Sequence, residues 1–188
     1  LLKVNPGAKV ISEVKSSHRL YQDIADKGGQ PLMWKTGHSL IKSKMKESKA
    51  LLAGEMSGHI FFADRYFGYD DAIYGAIRFY EIVQNTNKPA SSLTADLAKT
   101  FNTPEIRVDC PDEYKFQIVE AAKKSLSKKH PINDIDGVRI ETPKGWCLIR
   151  ASNTQPVLVL RFEAETQAYL NEMQVMVNTA LEQAKADV

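Results

Sequence analysis

The hexapeptide GEMSGH, Gly54 to His59, puts a carboxylate, a hydroxyl and an imidazole into the joint between two apolar runs, LLA and IFF. Hydrophobic strands are more usually joined by neutral turn residues. If the segment stays extended, its side chains alternate with period two, and Glu55, Ser57 and His59 share one face. An ionised glutamate offers two acceptor oxygens and a serine either donates or accepts, so the pair can grip the diol edge of a sugar. Gly54 and Gly58 permit close approach of a ligand to the backbone. Taken alone, the six residues suit equally a polar bend whose charges are solvated.

A second stretch, LIRASNTQPVLVL, sets Arg150 at a strand end ahead of Ser152, Asn153 and Thr154. The guanidinium is a planar fork that matches phosphate geometry and stays charged at any working pH. Two hydroxyls, an amide and the N–H groups of the turn could complete a phosphate cradle. An ordinary Asn-containing turn between antiparallel strands is the alternative. Two further strand ends carry polar groups: one strand reaches Lys15 in SEVKSS, and WKTGHS places His38 at the start of a helix, where anions are favoured.

Other candidates carry less. KSKMKESK lacks interleaved aromatic residues and reads as a solvated helix face. NDIDG fails the calcium-loop pattern, with Ile132 at the first ligand position and Pro143 at the last, and a hairpin turn at Asp136-Gly137 accounts for it. His18 and His130 read as surface residues. Ser57 and His59 form no nucleophile elbow.

The elements that must position these groups change character along the chain. AKVISEV, QPLMWK, ALLA and HIFFADRYF read as strands. They alternate with helices in SSHRLYQDIADKGG, with serine at the N-cap and glycine after the end, in SLIKSKMKESKA, with Leu40, Ile41 and Met45 on its apolar side, and in DDAIYGAIRFYEIVQNTN. Such alternation predicts an α/β layer with some parallel pairing. NTNKPASS reads as a linker. Beyond it come a helix in SLTADLAKTF, a strand in EIRVDC, a helix over about 113–129, the strands GVRIET, WCLIRA and VLVLRFEA, and a helix from about Thr166. Consecutive strands with short turns predict an antiparallel sheet flanked by helices, an α+β domain. The expected division is an N-terminally truncated α/β domain over 1–88 and an α+β domain over 89–188.

Composition is that of a globular protein: 188 residues, 43% apolar, 26% charged, net charge +2. The charge is too small to argue for nucleic acid, and no apolar run approaches the length that spans a bilayer. Residues 1–88 hold 13 Lys and Arg against 9 Asp and Glu, while 89–188 hold 12 against 14, so the first part is mildly cationic. Cys110 and Cys147 sit beside strand residues and read as buried free thiols, which fits a reducing cytoplasm. The start lacks methionine and a signal-peptide layout, and reads as the tail of a helix closed by Asn5-Pro6-Gly7; the chain is expected to be a piece of a longer protein.

EVKSS, WKTGHSLIK, GEMSGH, and DGVRI with PKGWCLIRASNTQP, in this order, resemble the C-terminal half of bacterial phosphomannomutase/phosphoglucomutase, in the α-D-phosphohexomutase family. The resemblance covers nearly the whole chain. It implies the third and fourth of four domains around a cleft. It assigns substrate contacts to Lys15, His38, Glu55, Met56, Ser57, Gly58 and His59 in the third domain, where Glu55 and Ser57 read sugar hydroxyls. In the fourth, Arg150, Ala151, Ser152, Asn153 and Thr154 form the loop that holds the non-reacting phosphate. His59 matches a histidine with a catalytic acid/base role. The implied reaction moves phosphate between the 1- and 6-positions of mannose or glucose through a bisphosphorylated sugar, with a phosphoserine as donor. Methionine in third place of GEMSGH resembles the mannose/glucose subgroup. The phosphoserine loop and the aspartate-rich loop for Mg2+ have no match here, so the chain alone is expected to bind no metal and to be inactive. The implied partners are hexose phosphates, with no nucleic acid, no membrane and a monomeric state. The competing expectation is a stand-alone sugar-phosphate binding module without catalysis.

Overall fold

Parity along one strand decides the first half of the chain. In β1 (Lys9–Glu13), Ile11 points to one face and Val10 and Ser12 to the other, and all three are buried. A strand buried on both faces is the centre of a sheet with helices on either side. The computed structural model describes residues 1–188 and divides into two compact units, Leu1–Ala98 and Lys99–Val188. The division falls later than Lys88, because a 3-10 turn at Ala90–Thr94 groups with the first unit.

In the first unit β1 is followed by α1 (His18–Asp26), β2 (Gln30–Trp34), α2 (His38–Ser48), β3 (Leu52–Gly54), β4 (Ile60–Phe62) and α3 (Ala72–Thr86). The strand order is β2-β1-β3-β4; β1 pairs parallel with β2 and β3, and β4 returns antiparallel to β3. The carboxyl ends of β1, β2 and β3 therefore share one edge, which carries the loops after Glu13, Trp34 and Gly54. Ser17 caps α1 through its side chain, and Asp71 caps α3 by accepting from the Tyr74 N–H. The core packs Ile41 and Met45 of α2 against Ile11, Ala53 and Phe61.

In the second unit β5 (Phe101–Asn102), β6 (Ile106–Asp109), α4 (Lys115–Leu126), β7 (Ile132–Asn133), β8 (Val138–Thr142), β9 (Gly145–Ala151), β10 (Val157–Ala164) and α5 (Gln167–Ala186) follow. The sheet is antiparallel throughout, in the order β5-β10-β9-β8-β7, with β6 also on β10. Both helices pack on one face, over Ile140, Cys147, Ile149, Leu158, Leu160 and Phe162. Cys110 and Cys147 are free and buried, and burial pushes the Cys147 thiol up to about 12. No helix is long and apolar enough to cross a membrane.

Four expectations are corrected. SLTADLAKTF forms no α-helix: a short 3-10 turn gives way to β5, and Leu93 and Leu97 stay exposed, so no buried face supports a helix. HIFFADRYF is extended only to Phe62, after which Arg65 adopts φ 60° and the chain turns. Leu40 is 41% exposed beside the fully buried Ile41, because helical spacing carries position 40 off the core-facing stripe. His18 and His130 are half-buried instead of lying on the surface. The apolar side chains of α3 are largely bare, with Ile73, Ile77, Phe79, Tyr80 and Ile82 exposed.

The α2 contrast is measurable. Ile41→Ala should destabilise the chain by about 2–5 kcal/mol, whereas Leu40→Ala should cost less than about 1 kcal/mol, read from urea midpoints. Equal losses would mean that the core-facing stripe of α2 is wrongly assigned.

Candidate functional site

The polar edge of the first unit is built around Glu13, the first residue of EVKSS, to which the sequence reading gave no role. Glu13 ends β1 with a fully buried carboxylate. Its Oε2 accepts from the Lys15 N–H at 2.6 Å and from the Thr36 hydroxyl at 3.2 Å, and its Oε1 accepts from the Met56 N–H at 3.1 Å. One side chain thus ties together the loops after β1, β2 and β3. The two backbone donors come from segments whose own strands have ended, where an N–H would otherwise lack a ladder partner, and the third is the Thr36 hydroxyl. Beside it, Ser12 donates to the Gly54 carbonyl at 3.0 Å, and Tyr21 donates to the Glu13 carbonyl at 2.8 Å.

GEMSGH does not stay extended. The Glu55 N–H donates to the His59 carbonyl at 2.9 Å, and the Gly58 N–H donates to the Glu55 carbonyl at 3.0 Å, closing a tight hairpin turn between β3 and β4. Gly58 takes φ 97°, a conformation that suits glycine. The shared extended face of Glu55, Ser57 and His59 is therefore replaced by a different grouping. Glu55 and His59 face each other at the neck, while Met56 and Ser57 are exposed at the tip. His38, the first residue of α2, brings its ring centroid to 6.0 Å from that of His59. His59 Nδ1 lies 2.7 Å from Asp70 Oδ2.

Glu55 is the electrostatic oddity of this edge. Burial first, and the neighbouring Glu13 charge second, push its carboxyl above the ordinary 4.5, against the pull of His59, Lys15 and His38. Its Oε1 is buried and accepts no hydrogen bond. Lys15 is itself buried.

In the second unit Arg150 lies near the end of β9, 5% exposed. Its Nε donates to Asp136 Oδ2 at 3.1 Å, and its Nη2 is buried without a hydrogen-bond partner. Asp136 sits in the β7–β8 hairpin turn, followed by Gly137 at φ 90°. A Cβ at 137 would lie 2.3 Å from the Ile149 carbonyl and 2.8 Å from Arg150 Cβ, so only glycine lets this turn pack under Arg150. Ser152 is buried, and its Oγ accepts from the Thr154 and Gln155 N–H groups at 3.4 and 3.2 Å. Those two N–H groups turn inward, so the expected cradle does not have them to offer. Asn153 and Thr154 are exposed, and Ala151 packs into the helix-side core. Buried Lys115 donates to the Gln155 carbonyl at 3.2 Å and holds the far end of the loop.

Residues 1–101 match the family model described as phosphoglucomutase/phosphomannomutase, alpha/beta/alpha domain III, which is more than half of the chain. The chain belongs to the phosphoglucomutase/phosphomannomutase family. Residues 105–180 match the C-terminal domain model of the same family. Phosphomannomutase/phosphoglucomutase of Pseudomonas syringae pv. tomato is 51% identical over 189 residues, covering 100% of the chain and 41% of that relative. Phosphoglucomutase of Neisseria gonorrhoeae is 48% identical over 177 residues, covering 93% and 38%. The crystal structure of a phosphoglucomutase/phosphomannomutase family protein from Burkholderia thailandensis superposes with a TM-score of 0.89 at 42% identity, covering 98% of the chain and 39% of that structure. The chain thus spans about two fifths of the length of the relatives it matches.

Within this pair of phosphohexomutase domains, sequence reasoning missed Glu13, Asp70, Asp136 and Lys115. Glu13 had a signal: it shares parity with Ile11 on a strand buried on both faces, and a carboxylate there must find donors. Asp70, Asp136 and Lys115 act through long-range contacts that no local pattern displays.

The Glu55 shift gives a pH test. A folded-state value above the unfolded one means that the folded chain binds this proton more tightly. Stability therefore falls as pH rises from the ordinary 4.5 through the raised value, and stays lower above it. Glu55→Gln should raise the urea midpoint at about pH 7 and give no such gain at about pH 3.5. A lowered midpoint at neutral pH would mean that the charge is held by favourable contacts.

Proposed function

We propose that the chain is the substrate-recognition half of a phosphomannomutase/phosphoglucomutase, which interconverts hexose 1- and 6-phosphates through a bisphosphorylated sugar. The observation that carries this reading is a complementary pair of unmet hydrogen-bonding groups. Glu55 Oε1 is a buried acceptor with no donor, and Arg150 Nη2 is a buried donor with no acceptor. Buried polar atoms of folded proteins are nearly always satisfied, so each calls for a partner from outside. Sugar hydroxyls supply what Glu55 needs, and a phosphate oxygen supplies what Arg150 needs.

Around these two atoms the other assigned contacts take defined parts. Lys15, His38 and His59 put positive or titratable groups at the edge that Glu55 occupies, suited to an anionic sugar. His59, with an imidazole nitrogen open to solvent, is the proton-transfer group. In the second unit Ser152 shapes the loop while Asn153 and Thr154 remain available to phosphate oxygens. The residues of this chain do not fit a magnesium site: no three His, Cys, Asp or Glu side chains gather into a possible ligand set. The metal and the phosphoserine belong, in this reading, to parts of the protein that the chain lacks. Free thiols support a cytoplasmic location.

In the complete enzyme, Arg150→Ala should weaken binding of glucose 1-phosphate and mannose 1-phosphate roughly ten-fold or more, read by calorimetry, as loss of a charge-assisted hydrogen bond implies. Glu55→Ala should impair both sugars alike. Wild-type affinity in the first variant, or an effect on one sugar alone in the second, contradicts the assigned roles. The 188-residue chain by itself should convert neither sugar phosphate, and measurable turnover would overturn that part.

A further inference from the structure

His59 is held by a residue from another part of the unit. Asp70 reaches it after the excursion that follows β4, and that excursion is anchored at several points. The Gly68 N–H donates to the Phe62 carbonyl at 2.8 Å, Asp70 forms an antiparallel bridge with Phe61, and the next residue caps α3. The carboxylate is therefore placed by β4 and α3, not by the hairpin turn that carries His59. Its Oδ2 lies 2.7 Å from His59 Nδ1, with both side chains partly exposed, 45% for His59 and 28% for Asp70.

An ionised carboxylate has only acceptors, so the hydrogen of this bond sits on Nδ1. In the neutral ring that leaves Nε2 as the unprotonated nitrogen, and Nε2 makes no hydrogen bond within the chain. A free imidazole in water prefers the opposite tautomer, with the proton on Nε2. We propose that Asp70 is the positioning residue of His59: it fixes the ring in the Nδ1–H tautomer and leaves the Nε2 lone pair as the base. The consequence for turnover rests on the reading of His59 as the acid/base group; the tautomer does not. The other charged or titratable groups near this pair are Glu55, Lys15 and His38, on the loops after β3 and β1 and at the start of α2. None of them bonds Nδ1, so Asp70 alone sets which nitrogen is protonated.

The direct test is a long-range proton–nitrogen spectrum of the 15N-labelled 188-residue chain at about pH 9, where histidine rings are neutral. His59 should show a protonated Nδ1 and an unprotonated Nε2. A protonated Nε2 in the wild-type chain overturns the proposal, and this measurement needs no variant to fold. Asp70→Asn, with its amide map confirming the fold, should shift the population to the Nε2–H tautomer, as asparagine does when it replaces an orienting aspartate. Asp70→Glu should restore part of the Nδ1–H form. An unchanged tautomer in Asp70→Asn also overturns the proposal. In the complete enzyme Asp70→Asn should lower kcat by roughly ten- to a hundred-fold with KM altered less than about three-fold, the lower range of an acid–base contribution. If the tautomer flips and kcat holds, the positioning role stands and the acid/base reading of His59 fails.

Discussion

A single buried carboxylate holds the polar edge of the first unit together. Glu13 has no water to solvate it, and burying an unpaired charge would cost several kcal/mol. It is tolerated because the loops after β1, β2 and β3 each give it a donor. Further bonds support the same loops, among them Val14 N–H to the Trp34 carbonyl and Ser12 to the Gly54 carbonyl, but Glu13 is the one side chain that reaches all three. Lys15, His38 and the Glu55–His59 hairpin all lie within two residues of one of these donors. The positions of the assigned groups are thus tied to one buried carboxylate as well as to their own local sequences.

The same carboxylate explains the character of Glu55. A second carboxylate beside a buried first one is disfavoured as a charge, and its carboxyl is pushed up accordingly. The neighbouring basic groups offset this without pairing Oε1. A site that keeps one acceptor unmet is less stable than it could be, as preorganised binding sites commonly are. The second unit repeats the pattern with opposite sign. Asp136 engages one nitrogen of Arg150, Gly137 allows the turn to pack beneath it, and Nη2 is left with nothing to bond.

Much of this was legible in the sequence where local rules govern. Ser17, Asp71 and Thr166 announce their helices because a capping side chain acts within three residues. The parallel β1-β2-β3 core follows from helices of crossover length between apolar runs, and the antiparallel β8-β9-β10 meander from turns of a few residues. What escaped was non-local. β5 and β7, two residues each, exist only because β10 and β8 offer an edge. The hairpin in GEMSGH follows from β4 pairing back on β3, which outweighs any tendency of this short segment to stay extended. Asp70 reaches His59 through an excursion whose length carries no pattern. Glu13 could have been found by parity, because its position faces the same side as Ile11.

The most direct measurement follows amide exchange in a Glu13→Gln chain by nuclear magnetic resonance. A glutamine amide has one acceptor end, so it cannot satisfy the Lys15, Thr36 and Met56 donors together. Exchange at Lys15 and Met56 should quicken by roughly ten-fold or more, as loss of a charged hydrogen bond of about 1.5–3 kcal/mol implies, with the loops after β1, β2 and β3 loosening together. The second unit should be unaffected. If only the Lys15 amide responds and the other two loops exchange as before, Glu13 does not tie that edge, and the placement of the polar groups along it needs another cause.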